Sequence, residues 1–166
     1  EQNHLGPKRA RRAGIFHWPQ PGLLRRDPAR GTRVETVVFK GHSFNLHHSF
    51  RDEAFQAALS NLGLRLVVDA RNQETGAHAW HDFATADVVL AVRNTTYADT
   101  CVKPASKLVN AWHAEVPAIL GPEPAFREIR RTDLDYIEVT RPEEALAALV
   151  RLKSDPALYR AMVDNG

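Results

Sequence analysis

The chain has 166 residues, 43% hydrophobic and 25% charged, enough for one globular domain with a sizeable core. Its net charge of +2 is too small for the sign alone to imply a nucleic-acid partner, and none is expected. No apolar run approaches the ~20 residues that cross a membrane, and the single Cys101 excludes an internal disulfide framework and fits a reducing, cytoplasmic setting.

Residues 1–33 are rich in Pro, Gly, Arg and His, with little periodicity, and read as an N-terminal arm or interdomain linker. KRARR at Lys8–Arg12 and RRDPARGTR at Arg25–Arg33 gather the basic residues there, and both are read as solvated linker. Phe16 to Pro21 form one apolar knot in the arm. The chain opens with neither Met nor a signal peptide, so a fragment is expected.

From Val34 the pattern becomes that of a folded domain, 34–166. Val34, Val37, Val38 and Phe39 predict a strand ending at Lys40–Gly41. Arg51 to Leu62 predicts an amphipathic helix with Phe55, Ala58, Leu59 and Leu62 on one face. Leu64 to Val68 predicts a strand ending at Asp69, and His81 to Ala86 a short helix or turn. Val88 to Val92 predicts a buried strand ending at Arg93–Asn94. Pro104 suits a first helical turn, so a helix is expected over Lys103–Glu115. Val116 to Leu120 then reads as a core strand closed by Gly121 and Pro122, and Tyr136 to Val139 as the last strand. Pro142 opens a helix through Lys153, with Leu146, Leu149 and Val150 inward. Asp155 and Pro156 cap and open a final helix through Met162.

Continuous apolar strands alternating with helices predict an α/β fold, a Rossmann-like parallel sheet with helices on both faces. Ligands of such sheets sit at the carboxyl ends of the strands. That rule selects Lys40–Gly41–His42–Ser43, Asp69–Ala70–Arg71, Arg93–Asn94 and Gly121–Pro122–Glu123. Lys103, Lys107 and Asn110 recur at steps of four and three and share one helix side. Two ammonium groups and an amide at a helix start form a site for phosphate, against the plainer reading of a solvated face. A buried Asn110 amide needs a partner, either a ribose hydroxyl or a neighbouring backbone carbonyl. The Gly41 N–H is placed to cradle a diphosphate. Arg93 reads as a ligand contact or a salt-bridge partner. His42, His47 and His48 lack zinc-site spacing and no cysteine pair accompanies them, so no metal is expected. Trp80–His81–Asp82 lacks the nucleophile elbow that a catalytic triad would need.

KLVNAWHAEVPAILGPEPAFREI (Lys107–Ile129) and RPEEALAALVRLKSDPALYRAMVDNG (Arg141–Gly166) resemble the C-terminal, donor-binding domain of retaining GT-B glycosyltransferases. HWPQPGLLRRD (His17–Asp27) resembles the linker before that domain. These enzymes have two Rossmann-like domains and use nucleotide sugars without a metal. The resemblance implies a nucleotide sugar as donor substrate, no further cofactor, and Lys107 and Lys103 as catalytic cations on the leaving diphosphate. It implies donor contacts from Gly41, His42, Arg93 and Asn110 and from the loop Glu123, Pro124, Ala125 and Phe126. It also implies a missing N-terminal domain or a second copy to complete the cleft, with the acceptor unknown. The two glutamates of the family motif, eight positions apart, fall here on Val102 and Asn110, and KPAS replaces a glycine-rich start. These departures place the chain in a divergent branch. The alternative is a non-catalytic Rossmann- or flavodoxin-like module that binds a nucleotide or another protein.

Overall fold

The structure, a computed structural model, describes residues 17–69 and 78–166. Lys8–Arg12, Phe16 and Ala70–Arg71 lie outside them. Five strands form one sheet: β1 (Thr36–Lys40), β2 (Arg65–Asp69), β3 (Val88–Ala91), β4 (Ala118–Leu120) and β5 (Ile137–Glu138). Their order is β2-β1-β3-β4-β5 and every pairing is parallel. The α/β, Rossmann-like expectation therefore holds.

Parallel neighbours need crossovers, and helices supply them. α1 (Glu53–Asn61) joins β1 to β2, α2 (Tyr97–Cys101) and α3 (Ser106–His113) join β3 to β4, and α4 (Pro124–Ile129) joins β4 to β5. α5 (Pro142–Ser154) and α6 (Pro156–Asn165) follow the sheet. Successive strand residues point to opposite faces. Val37, Val38 and Phe39 are 0%, 2% and 0% exposed, so both faces of β1 are covered. The same is true of β3, where all four residues are buried. This two-sided burial is why valine-rich runs, rather than alternating ones, form the central strands.

Three expectations change. The helix expected over Lys103–Glu115 is two helices. Thr96 caps α2, its Oγ1 accepting from the Asp99 N–H at 3.2 Å, and α3 opens only at Ser106. Pro104 explains the break, because a proline disfavours helical geometry in the residue before it, here Lys103. Lys103 therefore precedes the helix that carries Lys107 and Asn110. On α5 the inner face is Ala145, Ala148, Leu149 and Leu152, while Val150 is 44% exposed. Leu149 with its i−4, i−1 and i+3 neighbours makes the buried stripe, and Val150 lies a further 100° or so round the helix.

The third change concerns the arm. Arg26 is 6% exposed rather than solvated. Its Nε and Nη2 donate to Asp87 Oδ1 at 3.2 and 2.8 Å, and Arg30 donates to both Asp87 oxygens at 2.7 Å. The Glu35 and Thr36 N–H groups donate to Asp87 Oδ2 at 2.9 and 2.8 Å. Burial alone would raise the Asp87 pKa; hydrogen bonds from Arg30, the Thr36 and Glu35 backbone and Arg26 outweigh it and hold the carboxylate below its ordinary range. This clamp ties the basic arm to the amino end of the sheet.

Candidate functional site

The strand order changes direction between β1 and β3, and the carboxyl ends of these strands open on a crevice of about 550 Å³. That is the position where doubly wound sheets hold ligands, and the volume is in the range of small-molecule sites. Lys40, Gly41 and His42 enter its lining from β1, and Arg93 from the end of β3. Ser106, Lys107 and Asn110 come from α3, and His17, Trp18, Gln20 and Pro21 from the arm. The lining holds no carboxylate among the described residues.

Lys107 is half-buried and bends back over the sheet. Its Nζ donates to the Lys40 carbonyl and lies 4.5 Å from the centre of the Phe39 ring. A Cβ on Gly41 would come within 3.1 Å of that nitrogen, and Gly41 has φ +151°, which side chains rarely adopt. The Gly41 N–H, expected to cradle a diphosphate, instead donates to Asp69 O at 3.2 Å. What Gly41 contributes is room. Burial, reinforced by Arg93 and opposed by Glu123, brings the Lys107 pKa down to about 7.

Arg93 takes up the salt-bridge alternative, pairing with Glu123, and it also lines the crevice. Its Nε lies 3.0 Å from Glu123 Oε1, without the alignment of a hydrogen bond. Both Glu123 oxygens and Arg93 Nε are buried with no hydrogen-bond partner among the described residues. Burial pushes the Glu123 pKa up, against the pull of Arg93, Lys107 and Lys103. Glu123 is 2% exposed and stands behind the cations rather than in the lining.

Lys40 is already neutralised, its Nζ bonded to Asp69 Oδ2 and the Asp82 carbonyl. Asn110 has a backbone partner, but not the carbonyl expected: its Oδ1 accepts from the Gln20 N–H at 2.9 Å. That bond leaves Nδ2, a donor, as the amide atom available in the crevice. Pro124, Ala125 and Phe126 form the first turn of α4 outside the crevice lining, and the Phe126 ring meets Tyr136 edge-on at 6.1 Å. Lys103 is also outside the lining, and its charge acts on Glu123.

His47 Nδ1 pairs with Ser49 Oγ at 2.8 Å. Among the described residues no three His, Cys, Asp or Glu side chains gather to hold a metal. No described helix is long and apolar enough to cross a membrane. Sequence reasoning missed Trp80 and the arm residues as lining. Trp80 donates its Nε1–H to Asp69 O at 2.5 Å, stacks on His78 at 4.2 Å and meets His42 edge-on at 5.2 Å. The dense His and Trp spacing from His78 to His81 was the available signal.

The crevice can attract an anion. Arg93, Lys107 and the uncapped opening turn of α3 converge there. No family model matches the chain, and no curated protein matches it.

Proposed function

We propose that this crevice binds the diphosphate of a nucleotide sugar and that the chain is the donor-binding unit of a glycosyltransferase working in the cytoplasm. The observation that carries the reading is the meeting of Lys107, Arg93 and the start of α3 at the strand-order reversal, with no carboxylate in the lining among the described residues. In the reaction these groups would stabilise charge on the departing diphosphate by position alone. Lys107, near half-protonated at neutrality, takes up a proton as the anion arrives. Lys103 supports the field from outside the lining. The acceptor and any base come from a second domain or a second copy facing the crevice.

The test is a thermal-shift panel of UDP, GDP, ADP and CMP, followed by calorimetry on the binder. Lys107→Ala weakens binding by about 1–2 kcal/mol, the scale of a charge-assisted hydrogen bond, and EDTA changes nothing. Unchanged affinity in that variant removes Lys107 from the site. The chain alone releases no nucleoside diphosphate from nucleotide sugars in the presence of acceptors, because half a cleft neither aligns an acceptor nor excludes water. Sustained acceptor-dependent turnover would sink the two-part reading.

The strand order itself favours a second reading, since flavodoxin-like modules share it. A non-catalytic phosphate-binding module gives the same binding result. It parts from the first reading when a complementary domain is supplied and no sugar moves.

A further inference from the structure

Besides its cationic floor the crevice has aromatic walls. On the β1 side Trp80 is fixed by its bond to Asp69 O and by His78 stacked on it, and His42 continues the wall, its ring stacked on Phe44 at 5.2 Å. On the α3 side the arm brings His17 and Trp18 into the lining. Trp18 is 76% exposed, and His17 Nδ1 is buried with no hydrogen-bond partner among the described residues. The arm is not a passing loop. The Gln20 N–H is bonded to Asn110, the Leu24 N–H donates to His81 O at 2.8 Å, and the Phe83 N–H returns to Leu24 O at 3.0 Å. The chain from residue 20 to residue 24 thus runs from α3 to the turn that carries Trp80.

A single exposed tryptophan needs no explanation. Two indoles and two imidazoles lining one crevice above an anion-binding floor do. Phosphate makes no use of a ring face, whereas a planar heteroaromatic ring gains from stacking on each one it meets. From this placement we infer that the space between Trp18 on the arm and the Trp80–His42 wall seats a nucleobase, whose phosphates extend to Lys107 and Arg93. The inference rests on the nucleotide reading above and assigns the arm to the ligand site instead of to a tether. The unpartnered His17 Nδ1 offers the base edge one polar contact.

Calorimetric titration of UDP, ADP and inorganic pyrophosphate against the native chain, Trp18→Ala and Trp18→Phe tests it. Trp18 is exposed enough for both variants to fold. Trp18→Ala is expected to weaken nucleoside diphosphate binding about tenfold, the effect of losing one stacking partner. Trp18→Phe recovers most of that, and pyrophosphate binds all three proteins alike. Equal weakening of pyrophosphate, or no weakening of the nucleotides, overturns the base seat. If the native chain binds pyrophosphate as tightly as UDP and ADP, the base seat falls while the cationic floor stands. If none of the three binds, both readings fall.

Discussion

Asp87 and Glu123 are buried carboxylates beside arginines at opposite ends of the same sheet. Asp87 precedes β3 and accepts from Arg26, Arg30 and the Glu35 and Thr36 backbone. Glu123 follows β4 and accepts nothing among the described residues, although Arg93 Nε lies 3.0 Å away. The first carboxylate is held below its ordinary pKa and the second is pushed above it. A buried carboxylate with every lone pair satisfied locks structure in place; one with a charged neighbour but no hydrogen bond does not. Among the described residues the amino end of the sheet is built for cohesion, whereas the rules of local satisfaction fail at the carboxyl end, where the proposed ligand site lies.

The largest expected effect tests the cohesive end. Asp87→Asn should destabilise the fold by about 3 kcal/mol or more, because Arg26 and Arg30 lose their counter-charge in a buried setting. Urea unfolding measures it, and a midpoint equal to that of the native chain would contradict the clamp. Lys107→Met should do the reverse, leaving stability at pH 7 equal or higher, since it removes an ammonium that burial disfavours. A Lys107→Met loss as large as that of Asp87→Asn would erase the distinction between the two ends.

The two ends also part in pH dependence. The Asp87 pKa is depressed in the folded state, so its stabilisation is present above the unfolded value of about 4 and is lost as pH falls below it. Lys107 has a lowered folded pKa, so between about 7 and its unfolded value the unfolded chain holds the extra proton and stability rises with pH. Anion binding runs the other way and weakens as pH climbs above about 7, because the free crevice no longer carries the ammonium. A nucleotide sugar is the suitable probe, its diphosphate having no ionisation near neutrality. Flat affinity from pH 6 to 9 would exclude Lys107 as the titrating contact. The smallest effect sharpens the comparison. Glu123→Gln removes the group that supports the Lys107 charge, so the same binding profile should move to slightly lower pH. A shift to higher pH would contradict the placement of Glu123.

Much of the fold was legible because β1, β3 and β4 are continuous apolar runs whose burial on both faces shows in composition. α2 was not, since Tyr97–Cys101 has no apolar period and exists through the Thr96 cap. The lysine at 107, the arginine at 93 and the glycine at 41 were legible as strand-end and helix-start residues. Lys103 was over-read because spacing of four implies a shared face only within one unbroken helix. The arm could not be read locally at all. Its anchors are Arg26 to Asp87 and Gln20 to Asn110, 61 and 90 positions apart, and no periodicity in a short window reports pairs that distant.

Gly41 has a consequence for what substitutions this chain can accept. A Cβ at position 41 would press on the Lys107 nitrogen at 3.1 Å, and the backbone there has a φ of +151° that side chains rarely adopt. In a saturation scan Gly22, with φ +73° and nothing within 4 Å of a built Cβ, should accept asparagine, a residue that does visit left-handed backbone. Position 41 should accept glycine alone. Its intolerance would come from geometry with the net charge unchanged, so a variant there separates where the lysine charge sits from whether it is present.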